Sequence, residues 1–205
     1  MKTAKSAFTM LELVFVIVVI GIISAVAIPR IGNTKLAEGT DQIISHIRYT
    51  QHLAMQDDKF DPATANWFRN RWYIRFERDG TTNAWVYSIG SANQPNTYAS
   101  NPLNTEKRLS GLSAVAEASR TKELQIEGSY GLSITNTQNC PTATATLVVI
   151  HFDHQGRPMG NMATATAPYN ANLFQGNCQI TFSNGTEDAN ITITHETGYA
   201  YRTLL

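Results

Sequence analysis

Two clusters of side chains and one isolated acid could carry chemistry. His151, Asp153 and His154 offer two imidazoles and a carboxylate within four residues, donor types that suit a zinc ion. Along a strand, however, 151 and 153 share a face while 154 points away. No further ligand stands at a readable spacing, so polar residues at a strand end are the favoured reading. Arg69, Arg71, Arg75 and Arg78 are interleaved with Trp67, Trp72 and Tyr73. Cations among aromatic faces suit phosphate contact and base stacking. The same pattern fits a solvated strand face whose long side chains cover the rings. That reading is favoured over nucleic-acid contact through Arg71 and Arg75. The isolated acid is Glu12, placed inside an apolar run. No Ser/His/Asp order, P-loop, GxGxxG or CxxC is present, so no enzyme, cofactor or metal is expected. Asn184-Gly-Thr186 and Asn190-Ile-Thr192 match the N-glycosylation pattern, which a Thr- and Asn-rich chain also produces by chance.

The chain has 205 residues, with 16 basic and 16 acidic side chains and a formal charge of zero. That length suits one ordinary domain with an appended segment. Neutrality excludes a chain-wide polycation for wrapping nucleic acid. Charged residues make up 16%, and 24 Thr and 16 Asn fill the gap with a hydroxyl- and amide-rich surface.

Residues 8–28, FTMLELVFVIVVIGIISAVAI, hold fourteen Leu, Ile, Val or Phe and one charge, Glu12. As a helix at ~1.5 Å per residue they extend about 31 Å, the thickness of a bilayer's hydrocarbon core. Their transfer energies favour insertion by about 4 to 8 kcal/mol, against about 3 for one acid. A membrane-spanning segment is therefore expected. An ordinary anchor has no need of Glu12. A secretory signal peptide cleaved after Ala25-Val26-Ala27 would be unusually long and would carry an acid where apolar residues belong.

AFTMLELVFVIVVIGIISAVAIP resembles the N-terminus of type IV prepilins and type II secretion pseudopilins. In that family a short basic leader ends in a small residue, followed by Phe, Thr-Leu/Met-x-Glu-Leu and an apolar helix ending near a proline. The resemblance implies that a prepilin peptidase cuts between Ala7 and Phe8 and methylates the new amino group of Phe8. Ala7 stands where the family usually has Gly. Glu12 becomes the fifth residue of the mature chain, one helical turn from its amino terminus. The resemblance implies that Glu12 meets the terminal amine of an adjacent subunit in a filament core. Such pairing neutralises two charges and fixes the axial stagger.

Leu36, Ile43, Ile44, Ile47 and Ala54 recur at helical steps, which predicts an amphipathic continuation to about Gln56. DPATANWFRN, 61–70, breaks the helix. Beyond it Trp72, Ile74 and Phe76 alternate with Arg71, Tyr73, Arg75 and Glu77, a half-buried strand that Asp79-Gly80 turns into a partner at 84–89. Residues 91–105 read as a polar loop, and 106–137 are ambiguous, with weak strand signals at 124–126 and 132–134. Residues 146–152 read as a central strand. Strands at 178–182 and 189–194 are joined across Asn184-Gly185, and one at 198–203 closes the chain. FDHQGRP and ITITHETGYAYR resemble the GspH/FimT branch of the pseudopilins, minor subunits implicated in building or capping a filament. Cys140 and Cys178 would then face an oxidising periplasm, either bonded or as two buried thiols; a bond closing about 38 residues is favoured.

The expected fold is α+β and pilin-like: one long N-terminal helix, membrane-spanning in its first half, packed on an antiparallel β-sheet domain. The expected divisions are leader 1–7, transmembrane or filament-core helix 8–28, amphipathic continuation 29–58 and periplasmic β domain 59–205. The expected role is a minor filament subunit for protein secretion. The expected location is the bacterial inner membrane, single-pass, with the C-terminal domain in the periplasm. Expected partners are the prepilin peptidase, other pilin-type subunits, an inner-membrane assembly platform and the lipid bilayer. Two alternatives are a DNA-binding minor pilin for uptake and a stand-alone anchored periplasmic domain.

Overall fold

The computed structural model describes residues 9–57, 59–91, 97–160, 162–168 and 172–205, without the side chains of 26–34 and 163. Thr9 stands in extended backbone and its hydroxyl accepts the Glu12 N–H at 3.3 Å, capping a helix that starts at the next residue. That helix, α1, runs Met10–Gln56. Over its C-terminal half Leu36, Ile43, Ile44, Ile47 and Ala54 are buried, the stripe set by their three-, four- and seven-residue steps. Thr40 and Thr50 are buried in the same stripe, where each hydroxyl donates to a carbonyl one turn back, Leu36 and His46. Past Asp57 the chain turns, and the Asp61 carboxylate takes the Ala63 N–H and the Thr64 hydroxyl.

The remaining elements are β1 (Trp72–Arg78), β2 (Trp85–Ser91), β3 (Ser100–Asn101), β4 (Asn104–Arg108), α2 (Ile126–Tyr130), β5 (Ser133–Gln138), β6 (Leu147–Phe152), β7 (Pro158–Met159), β8 (Cys178–Ser183), β9 (Asp188–Ile193) and β10 (Ala200–Leu204). They form two four-stranded sheets, β2-β1-β6-β7 and β10-β9-β8-β5, and a β3-β4 hairpin. Every strand pair within these sheets is antiparallel. The fold is α+β. One core joins Ile43 and Ile47 of α1 to Ile74, Phe76 and Ile150 of the first sheet and Ile180, Phe182 and Ile191 of the second. Phe76 meets Phe182 edge-on at 5.9 Å, so the sheets touch directly.

Two expectations are corrected. The first is the pilin-like fold built on a membrane-spanning N-terminal helix. Among the described residues no helix is long and apolar enough to cross a membrane. The second correction follows from the first: single-pass inner-membrane placement, and the transmembrane assignment of 8–28, are not supported.

Candidate assembly interface

The N-terminal part of α1 leaves large apolar side chains uncovered. Between Met10 and Ile23, Leu, Ile, Val, Phe and Met side chains are exposed all round the helix, from 36% at Val19 to 86% at Met10. A patch of this extent marks an association surface. Glu12 is the acid in the first turn, where a negative charge complements the helix dipole. Ala7 and Phe8 lie outside the described residues.

The other half of α1 is tied to both sheets. Arg202 of β10 reaches across with one guanidinium nitrogen, donating to the Ala37 carbonyl at 2.8 Å and the Thr40 hydroxyl at 3.1 Å, and pairing with Asp41 at 2.9 Å. Arg48 donates to the Ala200 carbonyl at 3.2 Å. His46 joins α1 to β2 through Tyr87, its Nδ1 2.7 Å from the phenol oxygen. Burial pushes the imidazole down to about 4, with Glu123 opposing, so the ring is neutral in this contact.

Both C-terminal sequence motifs converge on one residue of α1. In FDHQGRP, Asp153 is buried and its carboxylate accepts the Gln155 and Arg157 N–H groups and pairs with the Arg157 guanidinium at 2.8 Å. That closes a turn with Gly156 at φ 79°. In THETG, Gly198 turns at φ 68°. Gln51 donates to the Gly156 carbonyl at 2.9 Å and the Thr197 carbonyl at 3.4 Å, pinning both turns to the helix. A Cβ at Gly198 would stand 2.4 Å from both the Gly156 carbonyl oxygen and Gln51 Nε2. Gly198→Ala is therefore expected to cost about 2 to 4 kcal/mol, combining the left-handed backbone with overpacking. Gly185→Ala, at φ 87° with nothing within 4 Å, should cost only the backbone part. Urea unfolding separates them; equal losses would remove the docking argument.

The other sequence candidates take structural places. His151 packs on the Tyr73 ring at 5.6 Å, and burial, with Arg71 adding, pushes it down to about 3. His154 is exposed in the turn. Among the described residues no group of three or more His, Cys, Asp or Glu could hold a metal. Arg69 donates to the Ala165 carbonyl, and Arg71, buried, donates to the Pro168 carbonyl and lies over Trp67. Arg75 pairs with Glu77 at 2.9 Å, and Arg78 pairs with Glu127 and covers Trp85. The structure thus engages Arg71 and Arg75 within the fold. Cys140 and Cys178 form a disulfide with Cα atoms 4.7 Å apart. Asn190 is buried and accepts the Thr181 hydroxyl at 2.8 Å, a poor position for a glycan.

Gln51, Arg202, Asp41 and the His46–Tyr87 pair were not singled out from sequence. His46 and Gln51 do sit beside the buried stripe at helical spacing, which is a signal; the pairing of Asp41 with Arg202 has none. No protein-family model, curated protein or solved structure matches this chain.

Proposed function

We propose that this chain is a minor structural subunit of a filament of the type IV pilus or type II secretion pseudopilus kind, acting in filament assembly. Its N-terminal helix packs against the corresponding helices of other subunits, and its two-sheet body contacts their bodies. A prepilin peptidase releases residues 1–7 and methylates Phe8, and an assembly platform draws the subunit into the filament. The observation supporting this reading is the uncovered apolar helix segment, with its single acid, continuous with a helix half stitched into a folded domain. An enzymatic reading has no comparable support. A DNA-binding role has less, since Arg71 is buried against Pro168 and Arg75 is paired with Glu77.

The deciding measurement is the N-terminus of the protein isolated from its own cells, by mass spectrometry. The expected mature chain begins at N-methylated Phe8. A chain beginning at Ile28 indicates an ordinary secreted protein, and an uncut Met1 removes the filament reading.

A further inference from the structure

Each four-stranded sheet has two edges, and three of the four are managed. The outer edge of β2 is paired by the segment 97–111: Ile89 donates to the Leu109 carbonyl, Ala99 to Ile89 and Gly111 to Tyr87. The outer edge of β7 is covered by residues 172–174, through Gly160 N–H to Asn172 and Phe174 N–H to Pro158. β5 carries a bulge in its pairing with β8, a register shift between Ile134 and Asn136 that interrupts the regularity of this edge strand. Covering and bulging are the usual ways a sheet avoids pairing with another chain.

Among the described residues the edge of β10 has neither device. Its pairing with β9 is regular from Ala200 to Leu204. Thr194 N–H donates to the Tyr199 carbonyl and Leu205 N–H to the Asp188 carbonyl, which fixes the alternation. Residues 199, 201, 203 and 205 bond toward β9, so the backbone groups of 200, 202 and 204 face outward. The Ala200 carbonyl is taken by the Arg48 guanidinium. The outward N–H and C=O of Arg202 and Leu204 have no partner among the described residues. Beside them lies a groove lined by Asp41, Ile44, Ser45, Arg48, Tyr201 and Arg202.

The same strand concentrates exposed apolar surface. Outside the N-terminal part of α1, the exposed large hydrophobics among the described residues are Met55, Phe60, Leu103, Tyr199, Tyr201, Leu204 and Leu205, and four of these seven lie on or beside β10. Tyr199 and Tyr201 stack at 6.0 Å.

We infer that the free edge of β10 pairs antiparallel with the β10 edge of a second copy of this chain. Outward groups at 202 and 204 exchange hydrogen bonds with 204 and 202 of the copy, about a two-fold axis at Thr203. This register sets Tyr201 opposite Leu205 of the second copy, an aromatic–aliphatic cross-strand pair. No like charges face each other, because Arg202 meets Leu204 and its guanidinium is turned to Asp41. The pairing is independent of the filament reading, and either can stand without the other.

Thr203 of each copy forms a non-hydrogen-bonded pair, with Cα atoms about 4.5 Å apart, within disulfide reach. The test oxidises the full chain carrying Thr203→Cys and reads the product on a non-reducing gel, with Glu106→Cys on the distant hairpin as the control. The native cysteines are already bonded to each other. A cross-linked dimer is expected, several-fold more abundant than with Glu106→Cys. Adding Leu204→Pro removes one outward donor and no bond to β9, and is expected to abolish the dimer while leaving the circular dichroism spectrum unchanged. Three results would each overturn the pairing: equal cross-linking of Thr203→Cys and Glu106→Cys, cross-linking undiminished by Leu204→Pro, or a product containing another protein.

Discussion

Cys140→Ala/Cys178→Ala is expected to lose about 4 kcal/mol of stability, the chain-entropy value for a loop of this length. For a chain of this size that lowers the melting temperature by roughly 10 °C. The chain leaves the second sheet after β5, forms β6 and β7 in the first sheet, and returns at β8; the bond closes these 38 residues at the points of exit and entry. Without it, the unfolded chain regains the freedom of the whole excursion. Cys178 is also fully buried in the core, so its truncation adds a small packing loss. Calorimetry with and without reductant supplies the check: reductant should lower the wild-type transition to that of the double variant and leave the variant unmoved. A wild type indifferent to reduction would show that the tertiary core alone holds the excursion in place.

Glu12→Ala is expected to leave the fold intact and to reduce incorporation into filaments by about 100-fold. That corresponds to on the order of 3 kcal/mol for a buried amine deprived of its partner. The helix start survives the change, because the Thr9 hydroxyl accepts the backbone N–H of residue 12, not its carboxylate. The favourable charge in the first turn is worth only ~0.3–1 kcal/mol at an exposed site. Glu12→Gln keeps the length and polarity of the side chain without its charge and should fall with the alanine variant. The measurement is the ratio of variant to wild-type subunit in filaments isolated from cells expressing both. Normal incorporation of Glu12→Gln would remove the charge-pairing account.

The sequence was most legible where burial has one sign and one period. The stripe Leu36, Ile43, Ile44, Ile47 and Ala54 is buried throughout, and the alternation of Ile74 and Phe76 with Arg75 and Glu77 marks β1. The strand turned by Asp79-Gly80 is β2, yet all seven of its residues are buried. Its outer edge is paired by residues 97–111, which no local pattern announces. Weak strand signals at 124–126 and 132–134 flank what folds as α2, a five-residue helix closed by Gly131 at φ 70°. Packing against α1 and β2, with the Arg78–Glu127 pair to β1, stabilises so short a helix. The membrane reading failed for a different reason. Hydropathy summed over 8–28 treats the run as a separate segment, whereas it is the start of a 47-residue helix whose later turns are tied to the sheets. The ties made by Gln51, Arg202 and His46 were illegible because each depends on a partner 41 to 165 residues away.

One helix serves as both uncovered rod and core element, which has a mechanical consequence. Tension applied along the rod reaches the body as shear on α1. The contacts to Tyr87, Ala200, Gly156 and Arg202 are spread along the helix from Ala37 to Gln51, so they share that tension side by side. Extraction requires them to rupture together, which slows forced unfolding relative to peeling them one at a time.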